Sequence, residues 1–319
     1  MLLASTLTLL RRVRKERRLG DPLRLPCSTE CAYLGSVNRL VLVLPALLGA
    51  SGCTVVLDPG EVQCETAKDC EARGFTGAEC TDNVCVKGDP MWGCLGHVTE
   101  PVPDKTKTVE FSIRLVFASD KGPVTTATID ICDKLDIDCA VMSPDVPKGL
   151  SPDADGNVSL SAKQGFDGFL RIKSPEIMDS LVFVGRPIVA PPTVKEVRLV
   201  RPSEYSAIAT LADEQADPTR GTSILLAVDC QALPGSGVRF ESPSADADSK
   251  LFYLINQLPT PPPQAQKTDV DGFGGFLNMP VGAALAKSFR ADNDAYIGES
   301  SFRILANTLS YVQIAPTPQ

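Results

Sequence analysis

Histidine is almost absent from this chain, since His97 is the single imidazole among 319 residues. A Ser-His-Asp or Cys-His enzyme would depend on that one residue, and a catalytic zinc site usually needs two or three histidines. The sequence also lacks a glycine-rich phosphate loop that opens a helix and the Gly-x-Ser-x-Gly elbow of many hydrolases. These absences argue against an enzyme, and we expect no cofactor.

Basic side chains are scarce after the first 52 residues. The formal net charge of the whole chain is −8, and residues 53–319 carry 23 basic against 36 acidic side chains. An acidic surface repels the phosphates of a nucleic acid. The sequence therefore predicts no nucleic-acid partner.

A long hydrophobic run is missing as well. Residues 40–50 form an apolar stretch of eleven residues, preceded by Arg39 and followed by small residues. A transmembrane helix needs about 20 residues, whereas a basic flank, a short apolar core and small residues are typical of a signal peptide. The stretch is therefore predicted to export the protein.

The four residues Ala50-Ser51-Gly52-Cys53 resemble the lipobox of bacterial lipoproteins. The resemblance implies cleavage after Gly52 and lipid on Cys53, so that the membrane is a partner through this lipid. Thr54, in place of Asp, favours the outer membrane of a Gram-negative bacterium. We interpret 37–52 as the signal peptide, 53–63 as a tether, and 1–36 as a misassigned or disordered extension before a start at Val37.

Eight cysteines follow Cys53, an even number, as four disulfides require. Four of them lie within 22 residues that contain almost no apolar side chains, so the module 64–100 needs disulfides or a metal to hold its shape. Zinc sites favour closer cysteine pairs and a reducing compartment, so disulfides are predicted, with three pairings open. Similar units occur near the N-termini of exported bacterial lipoproteins. Among the other four, Cys132 and Cys139 would close a short loop and leave Cys94 and Cys230 for each other. In chain order the eight are Cys64, Cys70, Cys80, Cys85, Cys94, Cys132, Cys139 and Cys230.

Apolar and polar residues alternate over 109–117, which predicts a half-buried strand. Short strands separated by turn residues follow in two sets, and one helix between them has Ser203 as its predicted cap and Pro218 as its end. The predicted fold is mainly β: two tandem antiparallel β-sandwich domains, 107–190 and 196–316, joined by one short helix and preceded by the disulfide-rich module and the signal segment.

The two sets of strands share short sequence motifs, which we call phrases, and these indicate an internal duplication. Residues 268–276, with a Thr-Asp-x-x-Gly turn before a strand, resemble the carboxypeptidase regulatory-like domains, which are transthyretin-like β-sandwiches. That resemblance implies a structural, adhesive or ligand-binding module without catalytic residues of its own. The paired phrases are 130–132 with 228–230, 153–156 with 269–272, and 168–169 with 275–276.

Carboxylates two residues apart, as in calcium loops, occur at Asp153 and Asp155 and at Asp269 and Asp271. Neither segment has the glycine at the sixth position or the glutamate at the twelfth that a calcium loop uses. Asp and Gly are also the ordinary residues of turns between strands. We therefore predict turns and no metal, with calcium as the alternative.

Together these features predict a membrane-anchored exported lipoprotein with a non-catalytic structural or binding role at the cell envelope. Its ligand would be a protein or a glycan that the sequence does not identify. The alternative is an anchored hydrolase that acts on envelope or extracellular polysaccharide or peptide, because paired carboxylates of the glycosidase kind are available in an acidic chain.

Overall fold

The computed structural model describes residues 62–75, 78–136, 139, 148–192 and 195–318. The predicted extension 1–36, the signal 37–52, Cys53 and most of the tether lie outside the described residues. All described residues belong to one unit, Gly60–Gln319. The elements of the described part are α1 (Ala67–Ala72), β1 (Ala78–Thr81), β2 (Val84–Lys87), β3 (Thr108–Phe117), β4 (Thr128–Asp133), β5 (Asn157–Lys163), β6 (Gly168–Lys173), β7 (Ser180–Phe183), β8 (Glu196–Leu199), α2 (Pro202–Leu211), β9 (Gly221–Ala227), β10 (Val238–Glu241), β11 (Lys250–Ile255), β12 (Leu258–Thr260), β13 (Phe273–Met279), β14 (Gly282–Arg290), β15 (Tyr296–Ile304) and β16 (Leu309–Ile314).

The first sandwich consists of two three-stranded layers. In one layer β3 pairs with β5 in antiparallel and with β8 in parallel orientation. In the other layer β6 lies between β4 and β7, and both pairs are antiparallel. Residues such as Leu115, Leu160 and Ile172 are buried between the layers, because every second side chain of a strand points to the same face.

The second sandwich repeats this plan. Strand β9 pairs with β13 in antiparallel and with β16 in parallel orientation, while β14 lies between β10 and β15 in an antiparallel layer. A hairpin, β11 with β12, extends the first of these layers beyond β13. The prediction of a mainly β protein with two strand-rich parts and a disulfide-rich N-terminal region is thus confirmed.

Equivalent backbone contacts reveal that the two sandwiches are structural repeats. The amide of Leu115 donates to the carbonyl of Gly156 (2.8 Å), and the amide of Ala227 donates in the same way to Gly272 (3.0 Å). Both glycines have positive φ, and a Cβ on either would meet the carbonyl oxygen of its partner strand at 2.8 Å or less. The phrases 153–156 and 269–272 therefore occupy the same turn in the two repeats.

The other two phrase pairs do not occupy equivalent positions. Residues 130–132 belong to β4, whereas 228–230 follow β9, which is the equivalent of β3. Likewise Gly168 begins β6, whereas Gly275 lies inside β13, the equivalent of β5. Short apolar phrases recur among strands because all strands favour the same residue types, so these two matches carried no topological information.

The two sandwiches are fused by the last strand of the chain. Strand β16 lies between β9 and β7 and is parallel to both. The result is one eight-stranded sheet in the order β12-β11-β13-β9-β16-β7-β6-β4. The layers are therefore mixed and shared rather than purely antiparallel and separate, and β8, within the range predicted for the second sandwich, pairs with β3 of the first.

The large sheet is covered on both faces. Neighbouring residues of one strand enter different clusters: Phe169 packs with the β10-β14-β15 layer, and Leu170 packs with the β5-β3-β8 layer. Strand β9 is buried over nearly its whole length. Its continuous apolar run is what a strand with two covered faces requires.

Helix α2 covers the second half of the large sheet on the face that also carries the β5-β3-β8 layer. Tyr205, Ala209 and Ala212 pack on Ile224 and Phe252. The helix begins at Pro202, and the carboxylate of Glu204 accepts the backbone N–H of Arg201 (2.8 Å), so the predicted Ser203 cap is wrong by two residues. It ends at Leu211, well before Pro218. None of the described helices is long and apolar enough to cross a bilayer.

Candidate functional site

The N-terminal module is a helix and a hairpin held by two disulfides. Cys64 pairs with Cys80 (Cα–Cα 5.7 Å) and Cys70 pairs with Cys85 (Cα–Cα 5.5 Å). Cys80 and Cys85 lie opposite each other in the hairpin, so the two bonds attach its two strands to α1 and to the residues before it. The buried cluster of this module consists almost entirely of cysteines. The module therefore depends on its crosslinks for its shape.

The sulfurs of Cys64, Cys70 and Cys85 lie within 4.8 Å of one another. In the described part of the chain this is the one group of three or more candidate metal ligands that are so close. All three sulfurs are already in disulfides, which leaves no thiolate for a metal. The geometry agrees with a module that is held together by disulfides.

A third disulfide fastens the segment 89–97 to the second sandwich. Cys94 is joined to Cys230 across 136 residues, and the amide of Cys230 donates to the carbonyl of Met91 (3.0 Å). Trp92 is only 6% exposed and belongs to the core cluster of the second sandwich. The chain therefore anchors this segment by a covalent bond and by its single tryptophan.

The fourth disulfide joins Cys132, on β4, to Cys139 and closes a short loop. All eight cysteines after Cys53 are thus paired, and the two pairs that the sequence offered for the four later cysteines, Cys94 with Cys230 and Cys132 with Cys139, are the ones formed. Cys53 itself lies outside the described residues. His97 is exposed on the surface, and its backbone amide donates to the carbonyl of Cys94.

The acidic residues considered as calcium ligands serve as turn residues. One carboxylate oxygen of Asp153 accepts the backbone amides of Asp155 (2.9 Å) and Asn157 (2.8 Å). The bonds from Asn157 lead the interactions that hold the pKa of Asp153 below its usual value. Asp269 accepts the amides of Asp271 (3.0 Å) and of Asn256 (2.7 Å). These contacts satisfy the carboxylates with backbone donors, as in Asx turns.

An apolar cavity of about 230 Å³ lies between α2, the end of the first sandwich and the outer face of the second. We call it the α2 cavity. Its accessible lining is mainly apolar, and it lies where the two repeats and the connecting helix meet, a common location for ligand pockets. Fourteen residues line it: Ala118, Ser119, Arg198, Val200, Glu204, Ile208, Ile224, Phe252, Leu254, Gln257, Pro259, Asp271, Phe273 and Tyr311.

Three charged residues are part of this lining, and two of them have ionic partners. Arg198 pairs with Glu196 (3.1 Å), and Glu204 pairs with Arg201 (2.8 Å). The carboxylate of the third, Asp271, has no ion pair and no hydrogen-bond donor among the described residues. Burial raises the pKa of Tyr311, so its hydroxyl stays neutral. Of the charged residues that line the α2 cavity, Asp271 is therefore the one whose carboxylate has no partner in the described part of the chain.

Sequence reasoning noted Asp271 only as a turn residue or a calcium ligand and did not predict the cavity. The lining comes from widely separated parts of the chain, and they meet only because β16 fuses the repeats and α2 folds back on the sheet. No spacing in the sequence predicts that these segments come together.

A scan against models of protein families found no match, and a search of curated proteins found none. Among solved structures, the chain is similar to the Bacillus anthracis TIE protein (11% identity, TM-score 0.22), with 66% of this chain covered and only 34% of that one. It is also similar to the shaft pilin SpaA of Lactobacillus rhamnosus GG (11%, TM-score 0.20; 67% and 98% covered). A third similar structure is the major pilin subunit BcpA of Bacillus cereus (13%, TM-score 0.22; 65% and 70% covered). Scores at this level do not establish a shared fold.

Proposed function

We propose that the chain is an exported lipoprotein, held at the cell envelope through lipid on Cys53, with a non-catalytic structural or binding role. The observation that carries this proposal is the pairing of all eight cysteines that follow Cys53. Disulfides persist in oxidising compartments and are rare where glutathione and thioredoxin keep thiols reduced. A chain with four of them fits the export signal that precedes Cys53.

A non-catalytic role is supported by the use of the acidic and imidazole groups. The turn carboxylates Asp153 and Asp269 are tied to backbone amides, and Asp246 accepts hydrogen bonds from Arg220 and Ser249. His97 is exposed on the surface. These four side chains therefore have structural partners or lie on the exposed surface, which favours a structural or binding role over an acyl-transfer or glycosidase mechanism.

The repeated turns support the resemblance to carboxypeptidase regulatory-like domains. In both repeats a carboxylate accepts two backbone amides, and a glycine with positive φ then leads into the next strand. Such domains serve as structural or binding modules, so the ligand of this protein would be a protein or a glycan of the envelope. Thr54, after the lipidated cysteine, favours display at the outer membrane of a Gram-negative bacterium.

Lipidation can be tested by growing cells with a clickable palmitate analogue and recovering the protein. We expect label on the wild-type protein and none on Cys53→Ala. Cys27→Ala is the control, because Cys27 precedes the proposed start and cleavage points and is absent from the mature protein, and it should keep the label. Label that persists on Cys53→Ala would contradict the proposed anchor. Fractionation of the labelled cells would then assign the membrane.

A further inference from the structure

The α2 cavity combines aromatic walls with an excess of negative charge. Phe273 and Tyr311 contribute partly exposed rings from two strands of the large sheet, and Phe252, from a third strand, borders the cavity but is fully buried. Ile208 of α2 lines the same space. A site of this kind holds the body of a ligand by apolar contact, while a few polar groups decide its orientation.

The charges at the cavity form a local network. Arg201 contacts both Glu204 (2.8 Å) and Asp120 (2.9 Å), and its guanidinium lies 3.6 Å from the ring centre of Phe117. Ser119, which lines the cavity, donates a hydrogen bond to Glu204. Arg198, which lines the cavity, and Arg201, the partner of the lining residue Glu204, are thus both already engaged by carboxylates. An anionic ligand would have to displace one of these pairs.

Carboxylates outnumber arginines in this network. The lining and its direct partners contain Arg198 and Arg201 on one side and Glu196, Glu204, Asp120 and Asp271 on the other. Asp271 is half-buried, and its backbone amide, not its carboxylate, makes the turn contact with Asp269. A half-buried carboxylate without a partner favours the binding of a positive charge.

We propose that the α2 cavity binds a small organic ammonium ion, with its apolar body between the aromatic walls and its ammonium group at Asp271. The partly exposed rings of Phe273 and Tyr311 would add a cation–π attraction. The volume of about 230 Å³ equals the liquid volume of roughly eight water molecules, so the ligand has about eight non-hydrogen atoms.

Exposed apolar side chains flank the mouth of the cavity on two connected turns. Leu258 is 58% exposed, next to the lining residues Gln257 and Pro259, and Val270 is 78% exposed, next to Asp271. The two turns are joined by the hydrogen bond from Asn256 to Asp269. They form an apolar rim, so an ammonium ion that is part of a larger molecule would find further contact surface there.

This site goes beyond the proposed function and does not depend on lipid at Cys53. It rests on that function in one respect, because a non-catalytic protein binds its ligand and releases it unchanged. Palmitate labelling and ligand binding report on different parts of the chain, so failure of one leaves the other result readable.

The test compares three probes of nearly equal size, benzylamine, benzyl alcohol and benzoate, by isothermal titration of the purified full chain at neutral pH. We expect benzylamine to bind roughly tenfold or more tightly than benzyl alcohol, because both can donate a hydrogen bond to the carboxylate but only the ammonium group carries a positive charge. Benzoate should bind more weakly than either. Equal binding of the amine and the alcohol, or no binding of the amine, would overturn the proposal.

Two variants test whether the preference for the amine comes from Asp271. Asp271→Asn should abolish the preference for the amine and leave the binding of benzyl alcohol unchanged. Asp155→Asn is the matched control, since Asp155 occupies the equivalent turn position in the first repeat and donates the equivalent amide bond. It should bind as the wild type does. If Asp271→Asn keeps the preference, the ammonium group binds elsewhere and the site is wrong.

Discussion

The bond between Cys94 and Cys230 offers a prediction whose size follows from chain entropy. It joins residues separated by 136 positions, whereas Cys132 and Cys139 are separated by 7. A crosslink stabilises a fold mainly by restricting the unfolded chain, and the effect grows with the logarithm of the loop length. Replacing both cysteines of a pair by serine should therefore cost more for the long loop than for the short one.

The chain-entropy relation gives ~5 kcal/mol for the loop from Cys94 to Cys230 and ~2.5 kcal/mol for the loop from Cys132 to Cys139. The short loop lies inside the long one, but the bond between Cys132 and Cys139 shortens the long loop by only a few residues. The two values are therefore nearly independent. Since domains unfold with about 5–15 kcal/mol, loss of the long crosslink would remove a large share of the stability.

The assay is urea unfolding followed by tryptophan fluorescence and by far-ultraviolet circular dichroism. Trp92 is the single tryptophan and is buried in the core of the second sandwich, so its emission reports whether the segment 89–97 is attached. In the wild type both signals should change together. In Cys94→Ser/Cys230→Ser the fluorescence should change at lower urea than the circular dichroism, because only non-covalent contacts then hold the segment: the packing of Trp92, the backbone hydrogen bond from residue 230 to Met91 and the ion pair of Asp89 with Arg290.

The double variant Cys132→Ser/Cys139→Ser is the control. It should lower the free energy of unfolding by about half as much and leave the two signals coincident. A greater loss of stability without the short crosslink than without the long one would contradict this prediction, and so would a Trp92 that stays buried in the Cys94→Ser/Cys230→Ser chain up to the main transition.

Three further predictions concern single positions and metal. Gly272→Ala should lower the melting temperature more than Gly237→Ala. Both glycines have positive φ, which costs about 1–2 kcal/mol for alanine, but only at Gly272 would the new Cβ meet backbone atoms, at 2.8 Å and 3.0 Å. Equal losses of melting temperature would show that this contact does not matter. The ion pair with Arg220 lowers the pKa of Asp246 from 3.8 to about 2. The pair therefore stabilises the fold at a pH above the pKa of the unfolded carboxyl, and this contribution disappears as the pH falls through about 2. In melts at about pH 5 and about pH 2, Asp246→Asn should lose less melting temperature on acidification than the wild type. Calcium should leave the melting temperature unchanged, because backbone amides already occupy the carboxylates of Asp153 and Asp269; a rise with calcium would restore the metal alternative.

Much of the fold was predictable because its signals are local. The alternation in β3, the turn before β13 and the even number of cysteines each depend on neighbouring residues or on simple counting. The repeat was detected through one phrase that marks a real structural turn, the one that ends at Gly156 and Gly272. Turn residues are informative because few residue types tolerate positive φ.

The shared sheet and the cavity were not predictable, because they depend on which distant strands pair. The residues of β16 read as an ordinary strand, and nothing in them specifies that β7 and β9 will be its two parallel neighbours. The run in β9 carried a partial signal, since its continuous burial distinguishes it from the alternating strands. Asp271 could be found as a turn residue, but its role at the cavity follows from tertiary packing alone.

The intact mass of the protein isolated from its own cells, without reduction, reports lipidation and cysteine pairing together. We expect a chain that begins at Cys53, carries a diacylglyceryl group and an added acyl chain, and lacks the hydrogens of eight thiols because all eight later cysteines are paired. A mature chain that starts before Cys53 without lipid, or that gains mass from a thiol reagent before reduction, would contradict this expectation.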